Sequence, residues 1–211
     1  MVKKIQLALD RMTKKECIYY IDETKDFIDY IEIGTGVIKE YGMNIVKEIR
    51  ETYPSIKIIA DMKTCDAGKS ETEQAINSGA NISTVMGFSN INTIKETLDA
   101  ANTLGGEMLI DLLGISSKEQ VTSIYDIGAR KFCMHIGKDM QSKGEQLFTS
   151  MFDLVDDLTD VTVFAAGGIN EVNIKNLKGL PIDTFIVGSG IASADNPRKA
   201  AENIKKIVSE F

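Results

Sequence analysis

Eight short apolar runs recur along the chain at intervals of roughly 22 to 31 residues, each followed by a helix-type segment. The runs cover residues 5–10, 30–34, 56–59, 82–87, 108–111, 132–135, 161–166 and 184–187. They are apolar throughout, as strands are when both sheet faces are covered, so the sheet is expected to be parallel. Helix starts and stops fall between them. Thr13 to Glu16 and Ser116 to Glu119 read as capping boxes, Asn92 as an N-cap, and Asn196-Pro197 as a cap followed by proline. Further helices are expected over 44–51, 70–78 and 148–158. Gly79-Ala80 and Gly128-Ala129 echo each other at the ends of two helices, where glycine suits a left-handed stop.

Eight βα units close most simply into a (β/α)8 TIM barrel, an α/β fold. An open doubly wound sheet would place a glycine fingerprint after its first strand, and Asp10-Arg11-Met12 is not one. A length of 211 residues suffices for one such barrel, and no linker or low-complexity run divides it, so residues 1–211 form a single domain. The net charge of −7 argues against nucleic-acid partners, and no apolar run is long enough to span a bilayer. Cys17, Cys65 and Cys133 are odd in number and lack metal-ligand spacing, which suits packing or loop roles in a reducing cytoplasm.

In a barrel the C-terminal strand ends meet at one mouth. Those ends carry Asp10, Glu32, Asp61 with Lys63, Asp111 and His135. Titratable groups at five ends of eight are hard to explain as rim solvation alone. Side-chain alternation places Asp61 and Lys63 on one side of the third strand. Glu32 and Asp61, on neighbouring strands, offer hard oxygens suited to Mg²⁺ completed by water and substrate, with Mn²⁺ as an alternative. A single histidine excludes a dedicated zinc site, and His135 is placed to move a proton. Gly167-Gly168 follows the seventh strand and Gly188-Ser189-Gly190 the eighth, with a short helix expected near Ile191. Exposed backbone N–H groups there make a phosphate cradle, so a phosphosugar is the expected substrate.

Gln6-Leu7-Ala8-Leu9-Asp10, Ile31-Glu32-Ile33-Gly34, Ala60-Asp61-Met62-Lys63 through Asp66-Ala67-Gly68, His135 with Asp139 and Gln141, Ala166-Gly167-Gly168 and Val187-Gly188 carry a resemblance. Together they resemble the orotidine-5′-monophosphate decarboxylase superfamily, in the branch of 3-hexulose-6-phosphate synthase and 3-keto-L-gulonate-6-phosphate decarboxylase. The D-x-K-x-x-D pattern is its most specific mark. The resemblance implies that Asp10 contacts substrate, Glu32 and Asp61 bind Mg²⁺, and Lys63 and His135 serve proton and enediolate chemistry. It also implies that Asp66 reaches a neighbouring subunit's site, hence a homodimer with shared active sites. Asp111 and Lys138 join the substrate-binding candidates.

Both activities of the branch pass through an enediolate. The synthase makes it by removing a C1 proton from ribulose 5-phosphate and adds it to formaldehyde; the decarboxylase makes it by losing CO₂. The decarboxylase pattern has glutamate at Asp111 and arginine at both Ser189 and Lys138. The first two departures, with Thr64, resemble the synthase, an aldolase-type lyase. Residues 91–95 and 178–182 look closer to the decarboxylase, but lie on outer helices or loops. The synthase is therefore the favoured reading. The decarboxylase, a non-catalytic phosphosugar-binding barrel and an unrelated phosphosugar isomerase or epimerase are the alternatives.

Overall fold

The computed structural model describes residues 2–211. All eight apolar runs are strands: β1 Lys4–Leu9, β2 Tyr30–Ile33, β3 Lys57–Thr64, β4 Ile82–Met86, β5 Glu107–Asp111, β6 Lys131–His135, β7 Thr162–Ala166 and β8 Thr184–Val187. They pair in parallel in chain order, and β8 returns to β1 to close the barrel.

Alternation along each strand sorts residues into two compartments. Ile5, Leu7 and Leu9 point outward and join a continuous core with the inner faces of the surrounding helices. Inward, Tyr30, Ile59, Ile82, Leu109, Cys133 and Phe164 form a separate buried plug. The Tyr30 and Phe164 rings lie 6.1 Å apart within it. Filling that space matters, because truncating a buried aromatic ring to alanine typically costs about 3–5 kcal/mol.

The helices are α1 Lys14–Thr24, α2 Thr35–Tyr41, α3 Asn44–Thr52, α4 Gly68–Asn77, α5 Ile91–Thr103, α6 Lys118–Asp126, α7 Lys138–Gln141, α8 Ser189–Ala192 and α9 Pro197–Val208. The capping box at Thr13 forms, with the Thr13 N–H donating to Glu16 Oε2 at 2.7 Å. Asn196 caps α9, accepting from the Lys199 N–H at 2.9 Å. Gly79 and Gly128 end α4 and α6 with φ of 104° and 107°, matching their sequence echo.

Several expectations shift. Asn90, not Asn92, caps α5, because its side chain reaches the Asn92 N–H at 2.9 Å. Ser117, not Ser116, caps α6, accepting from the Gln120 N–H at 3.1 Å. Helix α4 starts at Gly68, earlier than 70, and that glycine packs tightly against α5: an added Cβ would lie 2.5 Å from the Thr93 carbonyl oxygen. Residues 149–154 form a 3-10 helix in place of the α-helix expected over 148–158, and a further 3-10 helix spans Asn173–Leu177. Helix α8 begins at Ser189, slightly before Ile191. Helix α2 was not expected at all. Among the described residues no helix is long and apolar enough to cross a membrane.

Candidate active site

Four of the mouth groups sit two residues beyond a plug residue: Tyr30 precedes Glu32, Ile59 precedes Asp61, Leu109 precedes Asp111, and Cys133 precedes His135. The strand period of two therefore stacks these groups on the apolar plug, facing the barrel axis. Asp10, Glu32, Asp61, Lys63, Asp111 and His135 line one cavity of about 610 Å³. Lys138, Gly167, Gly168, Gly188 and Ser189 line it too. All of the proposed mouth residues are thus brought together.

Asp111 is the hub. It is buried, and its Oδ2 accepts from Lys63 Nζ at 2.9 Å. Its Oδ1 accepts from the Leu113 N–H at 2.9 Å, and His135 Nδ1 lies 3.0 and 2.9 Å from the two oxygens. Burial alone would raise the Asp111 pKa, but the hydrogen bonds and charges of His135 and Lys63 outweigh it and hold it at about 2. An ionised carboxylate only accepts, so His135 Nδ1 carries a proton and Nε2 is left to exchange one with substrate.

Lys63 also reaches Asp61, at 3.2 Å. Burial would lower the pKa of its ammonium, yet Asp61 and Asp111 raise it above the usual lysine range, so it stays charged. Strand β3 runs past Ile59 to Thr64, with a bulge beyond Ala60, and Lys63 takes φ of 50°. Thr84 and Thr35 hold the Asp61 carboxylate, with Thr84 Oγ1 donating to Oδ1 at 2.9 Å. Thr35 Oγ1 lies 2.8 Å from Oδ2 and 2.7 Å from the Asp61 carbonyl oxygen, sharing one proton between them. The sequence did not single out either threonine. Thr84 carried a usable signal, since it lies two residues beyond the plug residue Ile82.

Glu32 is 8% exposed, yet its carboxylate meets no hydrogen-bond donor or cation among the described residues. Burial first, and the Asp61 charge second, raise its pKa to about 8. The Gln6 amide, which stops short of a hydrogen bond, and the Lys63 ammonium offset part of that rise. A buried unpaired carboxylate beside another fits a hard cation, whose charge would relieve both strains. No group of three or more His, Cys, Asp or Glu side chains among the described residues is arranged as a metal cage. Glu32 and Asp61 would hold such a cation, with water and substrate oxygens completing the shell.

Across the mouth, Gly167 and Gly168 adopt φ of 143° and 63°, which L side chains rarely tolerate. Gly190 packs against the preceding loop so closely that a Cβ would fall 2.3 Å from the Ile169 carbonyl oxygen. The amides of Gly168, Ser189 and Gly190 meet no protein acceptor among the described residues. Helix α8 is a single turn, so it contributes free N–H groups more than a dipole. Lys138 forms no ion pair among the described residues, whereas Asp10 pairs with Arg11 at 3.1 Å and accepts from the Gly36 N–H at 2.8 Å.

Asp66 is the exception. It is exposed, caps the Ala67 N–H at 2.8 Å, and lines a separate surface cavity of about 420 Å³ with Lys69, Glu73, Asn92 and Thr93. It does not reach the mouth of its own barrel. Cys17 and Cys133 are buried and Cys65 is exposed, with no disulfide.

Residues 3–204 match the family model described as Orotidine 5′-phosphate decarboxylase / HUMPS family. The chain is 32% identical over 206 residues to 3-hexulose-6-phosphate synthase 2 of Staphylococcus saprophyticus, covering 97% of each chain. Its fold is similar to the crystal structure of 3-hexulose-6-phosphate synthase from Salmonella typhimurium, with TM-score 0.94, 30% identity and 98% and 99% of the two chains covered. It is also similar to the crystal structure of KGPDC from Streptococcus mutans, with TM-score 0.93, 27% identity and 100% and 99% covered.

Proposed function

Because the chain belongs to the Orotidine 5′-phosphate decarboxylase / HUMPS family, we propose that it is a 3-hexulose-6-phosphate synthase, joining formaldehyde to ribulose 5-phosphate through an enediolate. The observation that carries this choice is the commitment of Lys63. Its ammonium already serves two carboxylates, Asp61 and Asp111, so the inner site offers no free cation for a substrate carboxylate. A neutral aldehyde needs none. Ser189 likewise adds no charge beside the glycine cradle.

The phosphate rests on the amides of Gly168, Ser189 and Gly190, which places the sugar's other end toward Lys63 and His135. His135, oriented through Nδ1 by Asp111, takes the C1 proton at Nε2. The carbanion then bonds to the formaldehyde carbon, and the formaldehyde oxygen takes up a proton. Lys63 stays charged and faces the developing oxyanion. A divalent cation between Glu32 and Asp61, Mg²⁺ or Mn²⁺, would supply further positive charge to the same oxygens.

We further propose a homodimer in which Asp66 completes the partner's site, which its position outside its own mouth supports. Three unpaired cysteines suit a reducing cytoplasm. The uncommitted Lys138 favours the second reading, 3-keto-L-gulonate-6-phosphate decarboxylase, because it could receive a carboxylate at the rim. Purified protein with Mg²⁺ is given ribulose 5-phosphate plus formaldehyde and, separately, 3-keto-L-gulonate 6-phosphate. Formaldehyde consumption with formation of a hexulose phosphate supports the synthase. Release of CO₂ from the keto acid without formaldehyde consumption overturns it.

A further inference from the structure

Strand β3 changes register against β4 within the active site. Ala60 pairs with Ser83 and Thr64 with Val85, so Asp61, Met62 and Lys63 all face the single residue Thr84. A bulge of that size leaves backbone groups without ladder partners. The Thr84 side chain closes it. Its Oγ1 accepts from the Lys63 N–H at 2.9 Å and donates to Asp61 Oδ1 at 2.9 Å. One hydroxyl thus ties the backbone of the ammonium-bearing residue to the neighbouring carboxylate.

The tie has a geometric consequence. Lys63 has a left-handed backbone, unusual for a residue with a side chain, and that turn sends its ammonium back over Asp61 to Asp111. Thr84 is 2% exposed and lies within β4, so its hydroxyl is held in place by the barrel wall. Valine has nearly the same shape and strand preference but can neither accept nor donate. Serine keeps both functions.

We propose that Thr84 is a positioning residue for the lyase reaction, aiming Lys63 and Asp61 by closing the β3 bulge through its hydroxyl. It acts through those two side chains and not on substrate. This rests on the synthase reading for the choice of substrate, although the bulge geometry stands without it.

The test uses full-length T84V, T84A and T84S, each checked for folding by circular dichroism. Hydrogen exchange at the Lys63 amide requires no substrate, and it is expected to speed up by at least about 10-fold in T84V and T84A but not in T84S. With Mg²⁺, ribulose 5-phosphate and formaldehyde, kcat is expected to fall by about 100-fold in the two hydroxyl-free variants, as small misplacements of catalytic groups do. The KM for ribulose 5-phosphate stays within about threefold, because the phosphate cradle is untouched, and T84S recovers most of kcat. Wild-type exchange and kcat in either hydroxyl-free variant that folds would overturn the proposal. So would a T84S loss equal to that of T84V, which would assign the effect to packing. If the wild-type protein consumes no formaldehyde, the synthase reading fails while the exchange measurement still decides the role of Thr84.

Discussion

Glu32→Gln should make the metal-free protein more stable at alkaline pH while destroying its response to Mg²⁺. Glu32 is buried without a partner, and its pKa stands at about 8 against an ordinary 4.5. The unfolded chain releases this proton near pH 4.5, whereas the folded chain keeps it to about pH 8. Stability contributed by the retained proton is therefore lost as pH rises between those values and levels off above them. At about 1.4 kcal/mol per pH unit the ceiling on that loss is about 5 kcal/mol, and local relaxation and water entry should leave about 2–3 kcal/mol. Glutamine is nearly isosteric and cannot ionise, so its variant escapes the penalty. Urea unfolding in EDTA at about pH 5 and about pH 9 measures it. The wild-type protein should lose about 2–3 kcal/mol more than the variant across this span. Added Mg²⁺ at about 100 times its Kd should then stabilise the wild-type protein by about 2.7 kcal/mol and the variant hardly at all. Equal pH dependence in the two proteins, or a variant less stable than wild type at about pH 9 without metal, would mean that Glu32 does not carry a buried-charge penalty.

Asp111→Asn replaces the carboxylate that orients His135 with a neutral amide, which can hold either tautomer, and removes half the counter-charge of Lys63; kcat should fall by about 100-fold or more, with the KM for phosphosugar little changed. The Asp111 pKa is held at about 2 against 3.8, so its share of stability, up to about 2.5 kcal/mol, is present above pH 3.8 and lost as pH falls toward about 2. The variant should therefore show a shallower acid-unfolding profile by circular dichroism. Gly190→Ala drives a Cβ into the Ile169 carbonyl and parts the two cradle loops; the KM for ribulose 5-phosphate should rise by about 10-fold or more, and an unchanged KM would count against the cradle. Asp66→Ala and Lys63→Ala should each be inactive alone, yet mixed and reassociated subunits should regain roughly a quarter of wild-type activity, because one site of a mixed dimer is intact. No recovery from reassociated subunits would contradict shared sites.

The barrel was legible because its strands are buried on both faces, so every run of apolar residues marked a strand and the two-residue period carried Glu32, Asp61, Asp111 and His135 to one mouth. What escaped was set by contacts distant in sequence. Helix α2 contains Gly36, a poor helix former, but the Gly36 N–H is taken by Asp10 Oδ1 and a Cβ there would lie 2.6 Å from that oxygen. The caps at Asn90 and Ser117 lie one or two residues from the expected ones, because a run of adjacent polar residues does not by itself say which side chain reaches the free amide. Residues 60–64 read as the tip of a short regular strand, with Asp61 and Lys63 on one side by simple alternation; the structure bulges there instead, and the hydroxyl that meets the bulge belongs to Thr84, which in sequence is only another strand-forming threonine. The resemblance alone assigned Asp66, as a catalytic residue, to a neighbouring subunit's site, and nothing local in the sequence indicated that it lies outside its own barrel mouth.

On the reading given above, one mouth holds a cation on Glu32 and Asp61 and a phosphate on the loops after β7 and β8. A crystal of the protein with Mn²⁺ and ribulose 5-phosphate tests it through the anomalous signal of manganese. The expected map shows Mn²⁺ touching oxygens of both Glu32 and Asp61, with the phosphate on the amides of Gly168, Ser189 and Gly190. Manganese bound away from these carboxylates, or the phosphate held elsewhere in the barrel, would contradict it.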